Sequence, residues 1–398
     1  MRIGMMADTY KPHISGITHY IDLNKKYLEK AGHDVYVFTF GDEDYPDDEP
    51  RVIRSPGLPL VDTGYYLSFK YSPQAKKLLQ TMDVVHAHHP FLSGHLALRY
   101  CRPLEIPIVF TNHTRYDLYA QAYLPGLPEN ISLSLLETYM PDFCSAVDMV
   151  ISPSAGMATV LRKLKVEAPI TIVPNGVEIQ RFQQAIPLPR ASLGFSPQDI
   201  LLIYVGRLAP EKNLPFLLKA FLGVAESIEN THLLLLGDGP IREDLQEVAQ
   251  KSPFAGRVHF FGRVDYDALP QYLAMSDLFV TASVSEVHPL SVIEAMAAGL
   301  PVLGIHSPGV GDTVIDGRTG LLSSEDLPAF TAKMTRLCLD PAQRHAMGQA
   351  ARKEAERYAI TRTTQTMLGH YEQLVQRASP RRRGLRLRLR NFWENFTV

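Results

Sequence analysis

The order of apolar and amphipathic segments predicts an α/β protein made of two doubly wound, Rossmann-like domains in tandem. Three observations carry that expectation. Short apolar runs alternate with longer amphipathic segments from the first residue onward. The runs fall into two series, separated by a stretch in which Pro187, Pro189 and Pro197 break the periodicity. A length of 398 residues exceeds one ordinary core and suits two domains.

The first series comprises Ile3 to Ala7, Val35 to Phe40, Val84 to His86, Ile108 to Thr111, Val150 to Ser152 and Ile170 to Pro174. Each is short and apolar, as parallel strands buried on both faces are. The second series is Ile200 to Val205, His232 to Leu236, Val258 to Phe261, Leu278 to Thr281 and Pro301 to Gly304. The helical patterns between runs supply the crossovers. Domain boundaries are expected at 1–180 and 181–358, with a hinge within Ile179 to Pro197. The last long helical pattern, 359–378, is expected to return to the first domain, and a basic tail follows over 379–398.

A hydrophobic share of 45% excludes a disordered chain, and a net charge of −2 excludes a general nucleic-acid binder. That balance is uneven. Ser379 to Val398 holds six arginines against one glutamate, leaving the rest of the chain at −7. Cys101, Cys144 and Cys338 lack any C-x-x-C spacing, which disfavours a disulfide framework or thiolate zinc site and fits a reducing cytoplasm. The amino-terminal apolar run ends at Asp8, unlike a signal peptide, and no apolar run is long enough to cross a membrane.

Several motifs stand at the expected carboxyl ends of strands, where open α/β sheets bind ligands. After the first strand, Gly16 opens a helix; it allows a ligand close to backbone N–H groups, or simply makes a tight turn. Gly206-Arg207 through Glu211-Lys212 follows the first strand of the second series. Two fixed positive charges there suit a diphosphate, the alternative being a surface arginine paired with Glu211. Glu286 and Glu294 lie eight positions apart, just over two helical turns, and suit two portions of one elongated ligand. Glu294 sits among Ile293, Ala295, Met296 and Ala297, so an exposed position is disfavoured and a ligand is the natural partner for its charge.

Gly206-Arg207 with Glu211-Lys212, combined with Glu286-x7-Glu294 and the following Ala-Met-Ala-Ala-Gly-Leu-Pro-Val, resembles the donor-binding signature of retaining nucleotide-sugar glycosyltransferases of family 4. The resemblance covers about residues 1 to 375. It implies the GT-B fold, in which two Rossmann-like domains face each other across a cleft, the first binding the acceptor and the second the donor. It further implies that Arg207 and Lys212 hold the donor diphosphate, that Glu294 accepts hydrogen bonds from the ribose, and that Glu286 contacts the transferred sugar. Gly237-Asp238-Gly239-Pro240 resembles the family's turn beside the nucleotide.

His288-Pro289 replaces the family's usual Phe-Gly, and proline removes an N–H donor. The diphosphate then leans on Arg207, Lys212 and the N–H groups of Leu290 and Ser291, with His288 as a further contact, or the sugar sits differently. In the first domain, His113 follows a strand in Thr111-Asn112-His113-Thr114-Arg115-Tyr116-Asp117. By itself it is as readily a structural histidine as an active-site one; by resemblance it contacts the sugar and organises the reacting centre. The segment is similar to that of diacylglycerol glycosyltransferases. His86 and His88 share one side of a strand, but with no carboxylate nearby in sequence, and none needed by the family, a metal is not expected.

In the tail, Leu385, Leu389, Phe392, Trp393 and Phe396 share one side of a helix with most arginines flanking it. That pattern suits an anionic membrane surface, or a solvated basic end. The expected function is therefore transfer of a hexose, glucose from UDP-glucose, to a lipid such as diacylglycerol, without cofactor or metal. The site is expected on the cytoplasmic, inner face of the cell membrane, with the enzyme peripherally attached. The alternatives are a soluble or polysaccharide-precursor acceptor with a donor such as GDP-mannose, or an inactive nucleotide-sugar-binding protein.

Overall fold

The computed structural model describes residues 1–60, 66–118 and 129–378. The expected basic tail lies outside the described residues. The chain divides into two compact units, Met1–Asn175 with the chain from Ile360, and Gly176–Ala359.

The strands of the first unit are β1 (Arg2–Met6), β2 (Asp34–Phe40), β3 (Val52–Ser55), the short antiparallel pair β4 (Leu58–Pro59) and β5 (Tyr66–Leu67), β6 (Val84–Ala87), β7 (Ile108–Thr111), β8 (Met149–Ser152) and β9 (Ile170–Ile172). All but β4 and β5 form one parallel sheet, in the order β3-β2-β1-β6-β7-β8-β9. Alternation along each strand feeds two cores. Ile3 and Met5 pack on one face with Val35, Val37 and the Met367, Leu368 and Tyr371 side chains of helix Ile360–Arg377. Met6, Phe38 and Val85 pack on the other.

The second unit carries β10 (Ile200–Val205), β11 (Thr231–Leu236), β12 (Val258–Gly262), β13 (Leu278–Thr281), β14 (Val302–Ile305) and β15 (Gly320–Ser323). They form a parallel sheet in the order β12-β11-β10-β13-β14-β15. Leu202 and Tyr204 face one core, Leu201 and Ile203 the other. In both sheets the strand order reverses beside the first strand, between β1 and β6 and between β10 and β13. Loops leaving the two strands of such a pair diverge, which opens a crevice at their carboxyl ends.

The short pair β4 and β5 and two strands of the parallel sheets were not expected. In β3 the charged Arg54 interrupts the apolar run, yet it is buried because Asp47 pairs with it at 2.5 Å. In β15 only Leu321 and Leu322 are apolar, too few for a strand signal. The boundary also falls earlier than 180. Val177 donates to the Tyr358 carbonyl at 2.8 Å, and Ile179 and Phe182 lie in a core of the second unit.

Candidate functional site

In the second unit the site is assembled from the loops after β10, β11 and β13. The β11 loop is tied to the β10 loop through backbone: Leu208 donates to the Asp238 carbonyl at 2.9 Å and Ile241 to the Leu208 carbonyl at 3.2 Å. Gly237 is required there. Its φ is +138°, and an added Cβ would stand 1.9 Å from the Gly206 carbonyl oxygen. Its N–H donates to the Gly262 carbonyl at 2.7 Å, and the Asp238 carboxylate accepts from Gly239 at 2.9 Å and pairs with Arg242 at 3.5 Å. Gly237 and Asp238, expected at the nucleotide, thus fasten one loop to the next.

The β13 loop is clipped to the β10 loop twice. Ser285 Oγ donates to the Glu211 carbonyl at 3.0 Å, and Lys212 Nζ donates to Glu286 Oε1 at 2.7 Å. Burial works to raise the Glu286 pKa, but the Lys212 ammonium outweighs it through charge and hydrogen bond, with Ser283 assisting, and holds the carboxyl below its ordinary value. Gly309 donates to the Glu286 carbonyl at 3.1 Å, and a Cβ there would meet that oxygen at 2.5 Å. Arg207 is exposed, and among the described residues it makes no ion pair with Glu211.

Pro289 precedes helix Leu290–Ala297, which has no side-chain cap. The N–H groups of Leu290 and Ser291 find no protein acceptor among the described residues, the first hydrogen bond of the helix being Ile293 to the Pro289 carbonyl at 3.3 Å. Two N–H groups at the positive end of a helix suit an anion. His288 is buried with its ring 5.0 Å from Tyr358, and burial lowers its pKa to about 3, so it is neutral. Glu294, 4% exposed, accepts the Tyr266 hydroxyl at 2.9 Å. Burial pushes its carboxyl up to about 7, against the pull of Tyr266 and Arg181. Lys212 and Glu286 are therefore in contact, while Glu294 has a separate partner.

In the first unit, the carboxyl ends of β1, β6 and β7 bring together Asp8, His88, His89 and His113. Ser93, in the first turn of helix Leu92–Cys101, donates its N–H to Asp8 Oδ1 at 2.7 Å, and the Asp8 N–H donates to His89 Nδ1 at 3.1 Å. His113 is half-buried, its Nε2 3.1 Å from His88 Nδ1 and its ring 4.6 Å from that of Tyr20. Burial holds both His88 and His113 well below the ordinary histidine range, each reinforced by neighbouring histidines. His86 bridges the Tyr371 hydroxyl at 2.6 Å and Thr111 Oγ1 at 2.7 Å, and burial lowers its pKa to about 3. It is a structural link to the carboxyl-terminal helix. Among the described residues no cluster of His, Cys, Asp or Glu is arranged to hold a metal.

Gly16 begins helix Gly16–Lys30, capped by Ser15 and Thr18 in a reciprocal box. A Cβ added at Gly16 would meet nothing within 4 Å and its φ is unexceptional, so neither packing nor backbone geometry of the described chain demands glycine there.

A family model described as Glycosyltransferase Family 4 matches residues 14–181, and one described as Glycosyl transferases group 1 matches residues 186–354. The chain is 32% identical over 333 residues to an alpha-monoglucosyldiacylglycerol synthase of Streptococcus pneumoniae, covering 81% of this chain and 75% of that protein. The chain belongs to the family 4 glycosyltransferases. A second relative of the same description, from Acholeplasma laidlawii, is 28% identical over 82% of this chain and 85% of its own length. Among solved structures, sucrose-phosphate synthase from Thermosynechococcus elongatus superposes with a TM-score of 0.76 at 22% identity, covering 94% of this chain and 98% of that one. Together with the two parallel sheets this establishes the GT-B fold.

Two residues of this family 4 site, Tyr266 and Arg181, escaped the sequence reading, as did the pairing of His88 with His113. Tyr266 donates to Glu294 from a distant segment, and Arg181 acts on its charge from another, the guanidinium lying 4.6 Å above the Tyr266 ring and pairing with Asp267. His88 meets His113 although 25 residues separate them. Adjacent parallel strands β6 and β7 bring the latter two side by side, and no local pattern announces the pairing. The three cysteines are free and buried. Among the described residues no helix is long and apolar enough to cross a membrane.

Proposed function

We propose that this glycosyltransferase moves glucose from UDP-glucose to diacylglycerol with retention of configuration, without a metal, at the inner face of the cell membrane. The observation that carries the donor half is the Lys212–Glu286 contact at the β10/β13 switch point, followed four residues later by the open amino terminus of helix Leu290–Ala297. Arg207, Lys212 and the Leu290 and Ser291 N–H groups suit a departing diphosphate. Glu286 suits a sugar hydroxyl and Glu294 the ribose. The lipid half is supported by the two relatives described as alpha-monoglucosyldiacylglycerol synthases.

In the proposed reaction the bond from sugar C1 to the phosphate oxygen breaks and that from C1 to the acceptor oxygen forms on the same face. The acceptor proton passes to the leaving phosphate oxygen. The protein contributes charge stabilisation and positioning. The test is mass spectrometry after incubating the protein with anionic vesicles containing diacylglycerol and a panel of UDP- and GDP-sugars. Hexosyl-diacylglycerol formed from UDP-glucose is the expected product. Donor turnover without lipid product overturns the acceptor, product from GDP-mannose alone overturns the donor, and silence with every donor overturns the whole reading.

A further inference from the structure

We propose that His88 sets the tautomer of His113, so that His113 presents a neutral Nδ1–H as a hydrogen-bond donor to a substrate oxygen and does not act as a base. The inference rests on the reading of His113 as an active-site residue. His88 is fully buried at the end of β6, its backbone N–H held by the Met6 carbonyl at 2.9 Å. Its ring is wedged between His86, with centroids 4.2 Å apart, and Tyr20, at 5.6 Å. Packed between these rings, it holds Nδ1 3.1 Å from His113 Nε2.

Two neutral arrangements satisfy that contact. In the first, His88 Nδ1 carries the proton and donates to His113 Nε2, which leaves His88 Nε2 as a bare lone pair. In the second, His113 Nε2 donates, and His88 must carry its own proton on Nε2. His88 Nε2 is buried and has no hydrogen-bond partner among the described residues. An N–H without an acceptor is rarer in protein interiors than an unmatched lone pair, so the first arrangement prevails. Burial beside other histidines disfavours a third, charged arrangement. His113 then holds its proton on Nδ1, an atom that makes no hydrogen bond among the described residues, while Nε2 is engaged and closed to proton abstraction. His88 is thus a positioning residue acting through His113.

The first test needs no activity. Long-range proton–nitrogen correlation spectra of the full-length protein labelled with ¹⁵N-histidine, assigned with His113→Gln, are expected to show His113 protonated on Nδ1 near pH 7.5. A proton on Nε2 overturns the proposal, whatever the substrate. The second test uses amide geometry. Asn places an N–H near the position of Nδ1, Gln near that of Nε2. His88→Asn is expected to keep kcat within about threefold, while His88→Gln and His88→Leu lose about tenfold or more with little change in donor KM. Equal losses in folded Asn and Gln variants, verified by circular dichroism, overturn the positioning role. Failure of all donors in the wild type with His113 protonated on Nδ1 condemns the functional reading and leaves the tautomer standing.

Discussion

Replacing Glu294 by Gln tests the electrostatics of the second unit. Its carboxyl is buried on helix Leu290–Ala297, and burial raises it from 4.5 to about 7 even with the Tyr266 and Arg181 contributions opposing. The folded value is the raised one, so as pH climbs the unfolded chain gives up its proton first. The group's stabilisation is therefore complete below about pH 4.5 and is lost as pH rises through about 7. The interval corresponds to about 3 kcal/mol. Gln has the same shape, still accepts the Tyr266 hydroxyl, and never ionises. Urea unfolding of the two proteins should give equal stability near pH 4 and a variant more stable by about 3 kcal/mol near pH 9. Parallel curves across that range would refute the argument. Under the proposed function the variant also binds UDP-glucose more weakly, since an amide is a poorer acceptor for two ribose hydroxyls. Stability and function then move in opposite directions.

Tyr266→Phe removes a hydrogen bond that lowers the Glu294 pKa, so the carboxyl should titrate above about 7 in a ¹³C spectrum; an unchanged midpoint contradicts the assigned contact. Lys212→Ala removes the ammonium beside Glu286, and charge-assisted contacts of this kind carry about 1.5 to 3 kcal/mol. A loss of roughly tenfold to a hundredfold in kcat/KM for the nucleotide sugar follows, measured by donor-dependent product formation. Gly237→Ala forces a Cβ against the Gly206 carbonyl at a left-handed φ, and should lower stability by more than about 2 kcal/mol in urea unfolding.

The two-domain α/β architecture was legible because strands buried on both faces must be continuous apolar runs, and all but β3, β15 and the short β4–β5 pair of the observed strands are such runs. The missing sheet strands show the limit of that signal. Arg54 of β3 is buried by an ion pair, and β15 has only two apolar residues to reveal it. Glu294 was legible too, since a lone carboxylate among Ile293, Ala295, Met296 and Ala297 has to be buried with its helix face, and it is. Gly237 and Asp238 were noticed for their position, whereas their contacts in the folded chain are with neighbouring loops.

What the sequence determined by itself is the material: the apolar periods that make two parallel sheets, and the charged residues set just beyond the strand ends. Tertiary structure decided the pairings. Lys212 meets Glu286 across 74 positions, Tyr266 meets Glu294 across 28, and His88 meets His113 across 25. Each of these contacts depends on which loops the strand order places side by side. Burial and the charged groups nearby then set the charge each partner carries, because a carboxylate or imidazole answers to its surroundings in space and not to its neighbours along the chain.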